Sequence, residues 1–391
     1  MRVLHVGKFY PPYPGGIECA VAGLADAQAS QGTTVAVLAH APPGQRRHRA
    51  YQDGGVAVVE AGCWGQLVYA PISPDFPVRL NRLIRHFRPD LLHLHVPNTS
   101  AFAALALPAA RALPWVVHWH ADIPLDGSSR LLRTMYPLYR PFERALLARA
   151  AAIVATSGAY ADASQVLKAW REKVAIIPLG LAATNTPAAD TVVPAWPAPG
   201  LRLLAVGRLS HYKGFEVLLE ALAGVPEASL VLVGRGEREA ALRERIARLG
   251  LASRVRMAGA IDDAALLGLY AQADAFCLPS LDRAEAFGVV LLEAMRARLP
   301  VIASDIPGSG VGFVAQDGET GLLLPPGDVG ALAEAIRRLI GDMALRRRLG
   351  MAGERRWREH FSLEQMAESM DQLYRLVLAA RPDRAGPAGP A

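Results

Sequence analysis

Cysteine is scarce in this chain. Cys19, Cys63 and Cys277 are the only ones among 391 residues, too few and too scattered for a disulfide framework or a cysteine-built zinc site. Long apolar runs are missing as well. No stretch of about eighteen residues is free of both charge and proline, so no segment reads as a membrane span. The first residues, Met1-Arg2-Val3-Leu4-His5-Val6-Gly7, form a strand pattern that enters a Gly/Pro loop and lack the shape of a signal peptide. A cytoplasmic setting is expected. That loop also lacks the Gly-x-Gly-x-x-Gly fingerprint, which argues against a nicotinamide or flavin enzyme, and no cofactor is expected.

Charge is present but unevenly spread. Residues 1–190 hold 18 Lys/Arg against 12 Asp/Glu, whereas residues 191–391 hold 24 of each. The net charge of +6 therefore sits in the first half. Arg79, Arg82, Arg85, His86 and Arg88 lie around Leu80, Leu83 and Ile84. Arg130, Arg133, Arg140, Arg144 and Arg149 are interleaved with Leu131, Leu132, Tyr136, Tyr139 and Phe142. Basic residues beside aromatics suit an anionic membrane surface, although each stretch alone also fits a solvated helix face. No nucleic-acid-binding motif accompanies the charge, so nucleic acid is not an expected partner.

Short apolar runs alternate with amphipathic segments throughout, the pattern of α/β architecture with parallel sheets. Strand-like runs begin at Val3, Thr34, Val56, Leu91, Trp115, Ala152 and Val174, and restart at Arg202, Ser229, Val255, Ala275, Val301 and Gly321. Between the two series, Thr186–Gly200 is rich in Pro and Ala and reads as a linker. The expected organisation is a first domain over 1–185, a linker over 186–200 and a second domain over 201–365. A C-terminal helix over 366–380 returns to the first domain, and 381–391 form a disordered tail. Ligands of such paired α/β units bind at the sheet ends facing a cleft.

Chemistry concentrates at a few loops. Glu285-Ala286-Phe287-Gly288 precedes an apolar helical run, Val289 to Leu292, that reads as buried and carries Glu293. A carboxylate there needs a partner. The helix start near Phe287-Gly288 offers free N–H groups to a phosphate, and the two acids are spaced to hold two parts of one ligand. Arg208 directly follows a strand and Lys213 precedes the next helix, so both cations sit at the same sheet edge, where they can neutralise a diphosphate. Gly15 and Gly16 let backbone approach a ligand at another helix start. His118, His120 and Asp122 end the strand from Trp115, and His93 and His95 end the one before. Two histidines and an acid raise the thought of zinc, but a third ligand cluster is missing and the spacing fits no common zinc site. His93 reads as a core histidine with satisfied nitrogens.

The Glu285/Glu293 spacing resembles the Glu-x7-Glu signature of retaining glycosyltransferases of family 4, which have the GT-B fold of two Rossmann-like domains. The segment from Val206 to Phe215 resembles that family's diphosphate-binding motif. The combination of Gly-Gly-Ile-Glu, His-Trp-His-Ala-Asp-Ile and Gly-Ser-Gly-Val is most similar to bacterial mannosyltransferases of O-antigen and exopolysaccharide synthesis. The resemblance implies that Glu285 contacts the transferred sugar, Glu293 holds the ribose, and Arg208 and Lys213 stabilise the leaving diphosphate. Gly15, Gly16, Gly234, Ala260, Phe287 and Gly288 would complete the donor site. A catalytic His at the sugar is implied too. His120 matches best by position with His118 close behind, and His118, Asp122 and His95 are further acceptor or sugar contacts. One departure is Pro178-Leu179-Gly180-Leu181-Ala182-Ala183, where relatives commonly carry an Asp soon after the Gly. Asp-x-Asp, the metal motif of the other large transferase fold, does not occur, so no metal is expected.

The expected activity is metal-independent transfer of a hexose, mannose from GDP-mannose, to a lipid-linked glycan by an enzyme peripheral on the inner membrane face. A nucleotide-sugar 2-epimerase of the same fold is one alternative, which isotope exchange without acceptor would reveal. A non-catalytic nucleotide-sugar-binding protein is the other, and it would bind donor without transfer or hydrolysis.

Overall fold

The computed structural model describes residues 1–125, 130–183 and 192–380. Residues 186–191 of the expected linker and the tail expected over 381–391 lie outside the described residues. The chain segregates into two units. One comprises residues 1–155, 165–177 and 363 onward, and the other 156–164 and 178–362.

The first unit is built on ten strands: β1 (Arg2–Val6), β2 (Thr34–His40), β3 (Arg49–Asp53), β4 (Val56–Ala61), β5 (Gly65–Leu67), β6 (Ala70–Ile72), β7 (Leu91–Val96), β8 (Trp115–Trp119), β9 (Ala152–Ala155) and β10 (Val174–Ile176). Eight of them form one sheet in the order β10-β9-β8-β7-β1-β2-β4-β3, while β5 and β6 pair separately. Every neighbour in the large sheet is parallel except β3, which runs antiparallel to β4. The central strands are largely apolar because both faces are covered, and β7 and β8 are buried at every residue, their histidines included. Strand β3, Arg49-Ala50-Tyr51-Gln52-Asp53, was not among the expected strands. It is a charged, exposed edge strand, so burial never imposed an apolar pattern on it.

Chain order reverses beside β1, with β2 on one side and β7 on the other. The Gly16–Ser30 helix follows β1, and the Leu363–Ala379 helix packs against it. That last helix buries Met366, Ala367, Met370, Asp371 and Tyr374.

The second unit carries β11 (Leu201–Val206), β12 (Ala228–Val233), β13 (Val255–Gly259), β14 (Ala275–Leu278), β15 (Val301–Ser304) and β16 (Gly321–Leu324). All six are parallel, in the order β13-β12-β11-β14-β15-β16. Leu203, Leu218, Leu222, Leu230, Ile302 and Ile336 belong to the core on one face.

Residues 156–164, expected with the first domain, group with the second unit. Ser157 caps the short Gly158–Ala163 helix by accepting from the Tyr160 N–H. The Arg283 guanidinium lies 4.8 Å from the Tyr160 ring centre, and Ala163 abuts Gly308. An aromatic–cation contact and a close backbone approach thus hold this segment to the second unit's loops.

Candidate active site

In the second unit the order of strands reverses between β11 and β14, and in open parallel sheets ligands bind at the C-terminal strand ends beside such a reversal. The loops after these two strands carry the expected residues. After β11, Gly207 leads to exposed Arg208, and His211–Lys213 form one 3-10 turn. A Cβ on Gly207 would stand 3.1 Å from Lys213 Cε, so the missing side chain leaves room for the lysine. Gly214 adopts φ 65°, and a Cβ there would collide with the Pro279 carbonyl. Leu281 N–H donates to the Tyr212 carbonyl at 2.7 Å, tying the β11 loop to the β14 loop.

The result is a buried ion pair. Lys213 Nζ lies 2.5 Å from Glu285 Oε2, with the two side chains only 7% and 9% exposed. Ser280 Oγ donates to the same Oε2 at 2.9 Å, so Oε1 takes part in neither bond. Burial alone would lower the Lys213 pKa, but the Glu285 carboxylate beside it outweighs that and raises it. Ser309 Oγ donates to the Glu285 carbonyl at 2.5 Å, and Gly310 N–H donates to the Ala286 carbonyl at 2.7 Å. The 308–311 loop therefore fixes the backbone that presents Glu285.

Past that loop, Gly288 at φ 82° starts the Val289–Arg296 helix. Leu291, Leu292, Ala294 and Met295 are buried, whereas Val289 and Val290 are half-buried, so the expectation of an all-round buried helix is corrected. Its first turn faces less protein than its middle. Phe287 is buried edge-on to Phe361, so its ring packs under the loop. Glu293 is half-buried and has a partner: Tyr270 OH donates to Oε2 at 2.7 Å. Burial pushes the Glu293 pKa up, while the Tyr270 hydrogen bond and the Arg296 charge pull it down without cancelling the rise. Gly234 follows β12, and a Cβ there would strike the Gly207 carbonyl, so these two strand ends touch through backbone. Exposed Ala260 follows β13. Arg208, Lys213, Gly234, Ala260, Glu285, Phe287, Gly288 and Glu293 thus all follow C-terminal ends of parallel strands in one sheet.

The first unit has its own cluster at the strand ends beside β1. Gly15 is extended, and a Cβ there would overlap the Glu18 carboxylate, so the Gly-Gly turn makes room for a buried acid. His118 and His95 are register partners on β8 and β7, as are His5 and His93 on β1 and β7. Together with His120 they form a set of five fully buried imidazoles. Strand register brings His95 to the other two, so that one ring nitrogen each of His95, His118 and His120 lies within 4.8 Å of the others. His93 was expected to have both nitrogens satisfied. Its Nδ1 meets Tyr374 OH at 2.5 Å, but Nε2 has no partner among the described residues. Both nitrogens of His118 and Nδ1 of His120 are likewise without one. Asp122 accepts from Trp119 Nε1 at 2.9 Å, a bond that anchors the strand end.

Burial drives all five imidazoles toward the neutral form. The pKa of His5 falls to about 4 and that of His120 to about 3, and those of His93, His95 and His118 fall well below their usual value of 6.5. Sequence reasoning missed His5, Ser309 and Tyr270. The signal for His5 was its place on the first apolar strand, whose neighbours carry histidines at alternate positions.

Comparison with known proteins agrees with this geometry. Residues 192–356 match the family described as "Glycosyl transferases group 1", and residues 15–180 the "Glycosyl transferase 4-like domain". The O-antigen chain mannosyltransferase C of Escherichia coli is 31% identical over 388 residues, spanning 97% of this chain and all of that protein. D-rhamnosyltransferase WbpZ of Pseudomonas aeruginosa is 32% identical over 372 residues, covering 93% and 92% of the two chains. Among solved structures, sucrose-phosphate synthase from Thermosynechococcus elongatus superposes with a TM-score of 0.78 at 25% identity, covering 97% of this chain and 100% of that one. Anabaena HepE in complex with UDP gives a TM-score of 0.73 at 22% identity over 96% of this chain and 100% of its own, a likeness of fold. With matches spanning both units and the acids and cations gathered at one sheet edge, the chain belongs to glycosyltransferase family 4, retaining hexosyltransferases of the GT-B fold that transfer sugars in glycan and polysaccharide synthesis.

Proposed function

We propose that this enzyme transfers mannose from GDP-mannose to a lipid-linked glycan during cell-surface polysaccharide synthesis, at the inner face of the cytoplasmic membrane. The observation that carries the reading is the meeting of Lys213, Ser280 and Glu285 at the strand-order reversal, with Arg208 on the adjoining loop. The bond from the anomeric carbon to the diphosphate oxygen breaks, and its electron pair leaves on the diphosphate. Arg208 and Lys213 neutralise that charge. The acceptor hydroxyl oxygen bonds to the anomeric carbon on the same face, and its proton passes to the departing phosphate.

Glu285 offers Oε1 to sugar hydroxyls while Lys213 and Ser280 hold Oε2. Glu293, steadied by Tyr270, receives the ribose. Gly15, Gly16, Gly234, Ala260, Phe287 and Gly288 meet the donor through backbone, and His120 accepts from a sugar hydroxyl, with His95, His118 and Asp122 behind it. Mannose is the sugar named for the Escherichia coli relative.

No described helix is long and apolar enough to cross a membrane. The Arg130–Arg149 helix buries Leu146 and Leu147 but exposes Leu131, Leu138 and Phe142 beside Arg133, Arg140 and Arg144. Apolar and cationic groups on one exposed surface suit an anionic bilayer. Slow hydrolysis of a panel of nucleotide sugars tests the donor assignment. GDP-mannose is expected to be cleaved fastest, with undiminished rate in EDTA. Faster cleavage of a UDP-sugar refutes the donor, and loss in EDTA restored by Mg²⁺ refutes the leaving-group chemistry.

A further inference from the structure

We propose that a hydrogen-bonded chain running Asp371–Gln28–His5–His95–His120 fixes one tautomer along its length and leaves His120 Nδ1 as an obligate acceptor, so that the first four are positioning residues for the hydroxyl that His120 receives. Only the identity of that hydroxyl rests on the transfer reading above. The direction of the chain follows from its first member. Asp371 Oδ1 accepts from Gln28 Nε2 at 3.0 Å, and its Oδ2 accepts from Thr33 Oγ1 at 3.2 Å. A carboxylate only accepts, which orients the Gln28 amide with its oxygen toward His5.

Gln28 Oε1 lies 2.9 Å from His5 Nε2, and an amide oxygen only accepts, so His5 carries its proton on Nε2. A neutral imidazole then has a bare Nδ1. That atom is 3.0 Å from His95 Nε2, which must donate. His95 Nδ1 is bare in turn and lies 3.0 Å from His120 Nε2, which donates as well. The chain ends on His120 Nδ1, buried and without a partner among the described residues, just beyond the C-terminal end of β8. Every step is side chain to side chain inside the first unit. Burial keeps these rings neutral, as the chain requires.

A metal ion is the rival occupant of the same nitrogens. The His118 and His120 rings are stacked, with centres 4.1 Å apart and planes 11° from parallel. In-plane lone pairs of stacked rings run side by side instead of converging on one point roughly 2.1 Å away. Both nitrogens of His95 are already hydrogen-bonded, so a metal ligated by it would also have to displace one of those bonds.

Two-bond proton–nitrogen NMR of histidine-labelled protein reads each tautomer directly. The wild type is expected to show protonated Nε2 and bare Nδ1 at His5, His95 and His120. Asp371→Asn keeps the shape but adds a donor, so Gln28 can turn over, and mixed tautomers should appear at all three rings. Asp371→Glu, which restores an acceptor-only group, should restore the single tautomer. In turnover, Asp371→Asn should lose about tenfold in kcat with donor KM little changed, the scale of one hydrogen bond, and Asp371→Glu should recover part of it. Protonated Nδ1 at His120 in the wild type overturns the proposal, as does an unchanged tautomer pattern in Asp371→Asn. So does one zinc ion per chain retained through dialysis. If no nucleotide sugar is turned over, the transfer reading fails while the NMR result still decides the chain.

Discussion

Acidification tests the buried histidines quantitatively. In the unfolded chain each takes up a proton as the pH falls below about 6.5, whereas in the folded unit burial holds His5 to about 4, His120 to about 3, and the other three well below the usual value. The unfolded state therefore binds more protons between pH 6.5 and 4, and stability must drop as pH falls through that window. A group wholly neutral in the fold loses about 1.4 kcal/mol of stability by pH 5.5 relative to its full value. Five such groups together would remove about 7 kcal/mol, comparable with the roughly 5–15 kcal/mol that holds a typical domain. The assay is urea unfolding followed at intervals from pH 7.5 to 5, with proton uptake obtained from the slope against pH. We expect the midpoint to fall steeply below pH 6.5, and unfolding to take up several protons near pH 5.5. Replacing His93 and His118 by Phe and Gln should lessen the slope. A midpoint flat from pH 7 to 5 would refute the neutral, buried state of the cluster.

Breaking the Lys213–Glu285 pair by Lys213→Met should cost about 3–5 kcal/mol, because a buried carboxylate is left without its cation, while Lys213→Met with Glu285→Leu should recover most of that stability in chemical denaturation. Arg208→Ala should leave stability nearly unchanged, since Arg208 is exposed, yet raise the transfer barrier by about 2.7–4 kcal/mol; wild-type turnover would remove it from the diphosphate site. Glu143, raised to about 7 chiefly by burial and held by Tyr136, should make stability fall as pH rises from 4.5 to 7, and Glu143→Gln should flatten that limb. Sedimentation with anionic vesicles should weaken when Arg133, Arg140 and Arg144 become Ser and when salt is raised; equal binding to neutral vesicles would end the membrane assignment.

What could be read in advance depended on which faces are buried. Strands such as β12 and β14 announced themselves because a parallel sheet covered on both sides favours near-continuous apolar runs. The edge strand β3 did not, since solvent and a single neighbour leave Arg49 and Asp53 free to occupy it. Arg208, Lys213, Glu285 and Glu293 were visible as residue types at strand ends. That Lys213 and Glu285 would touch was not, for they are 72 residues apart and meet only because β14 inserts beside β11. Strand pairing likewise hid the histidine cluster. Alternation placed His93 with His95 and His118 with His120 on one side of each strand, but only the register of β1, β7 and β8 joins them to His5. Tyr270, partner of Glu293, sits on a different helix 23 residues earlier, with nothing local to mark it.

The Leu363–Ala379 helix bears on how the protein is made. Asp371 bonds Gln28 across 343 residues of sequence, and Tyr374 meets His93 across 281, yet both partners lie in the unit that begins at Met1. The first unit is therefore complete only once Leu363–Ala379 has been made, since that helix supplies Asp371 to Gln28 and Tyr374 to His93. The second unit, continuous apart from residues 156–164, has all its strands by Leu324 and can settle first. A nascent chain stalled before Leu363 would hold a finished second unit and an open first one. The order in which the two units can be completed is thus opposite to the order in which they begin, because the unit holding Met1 depends on the last described helix.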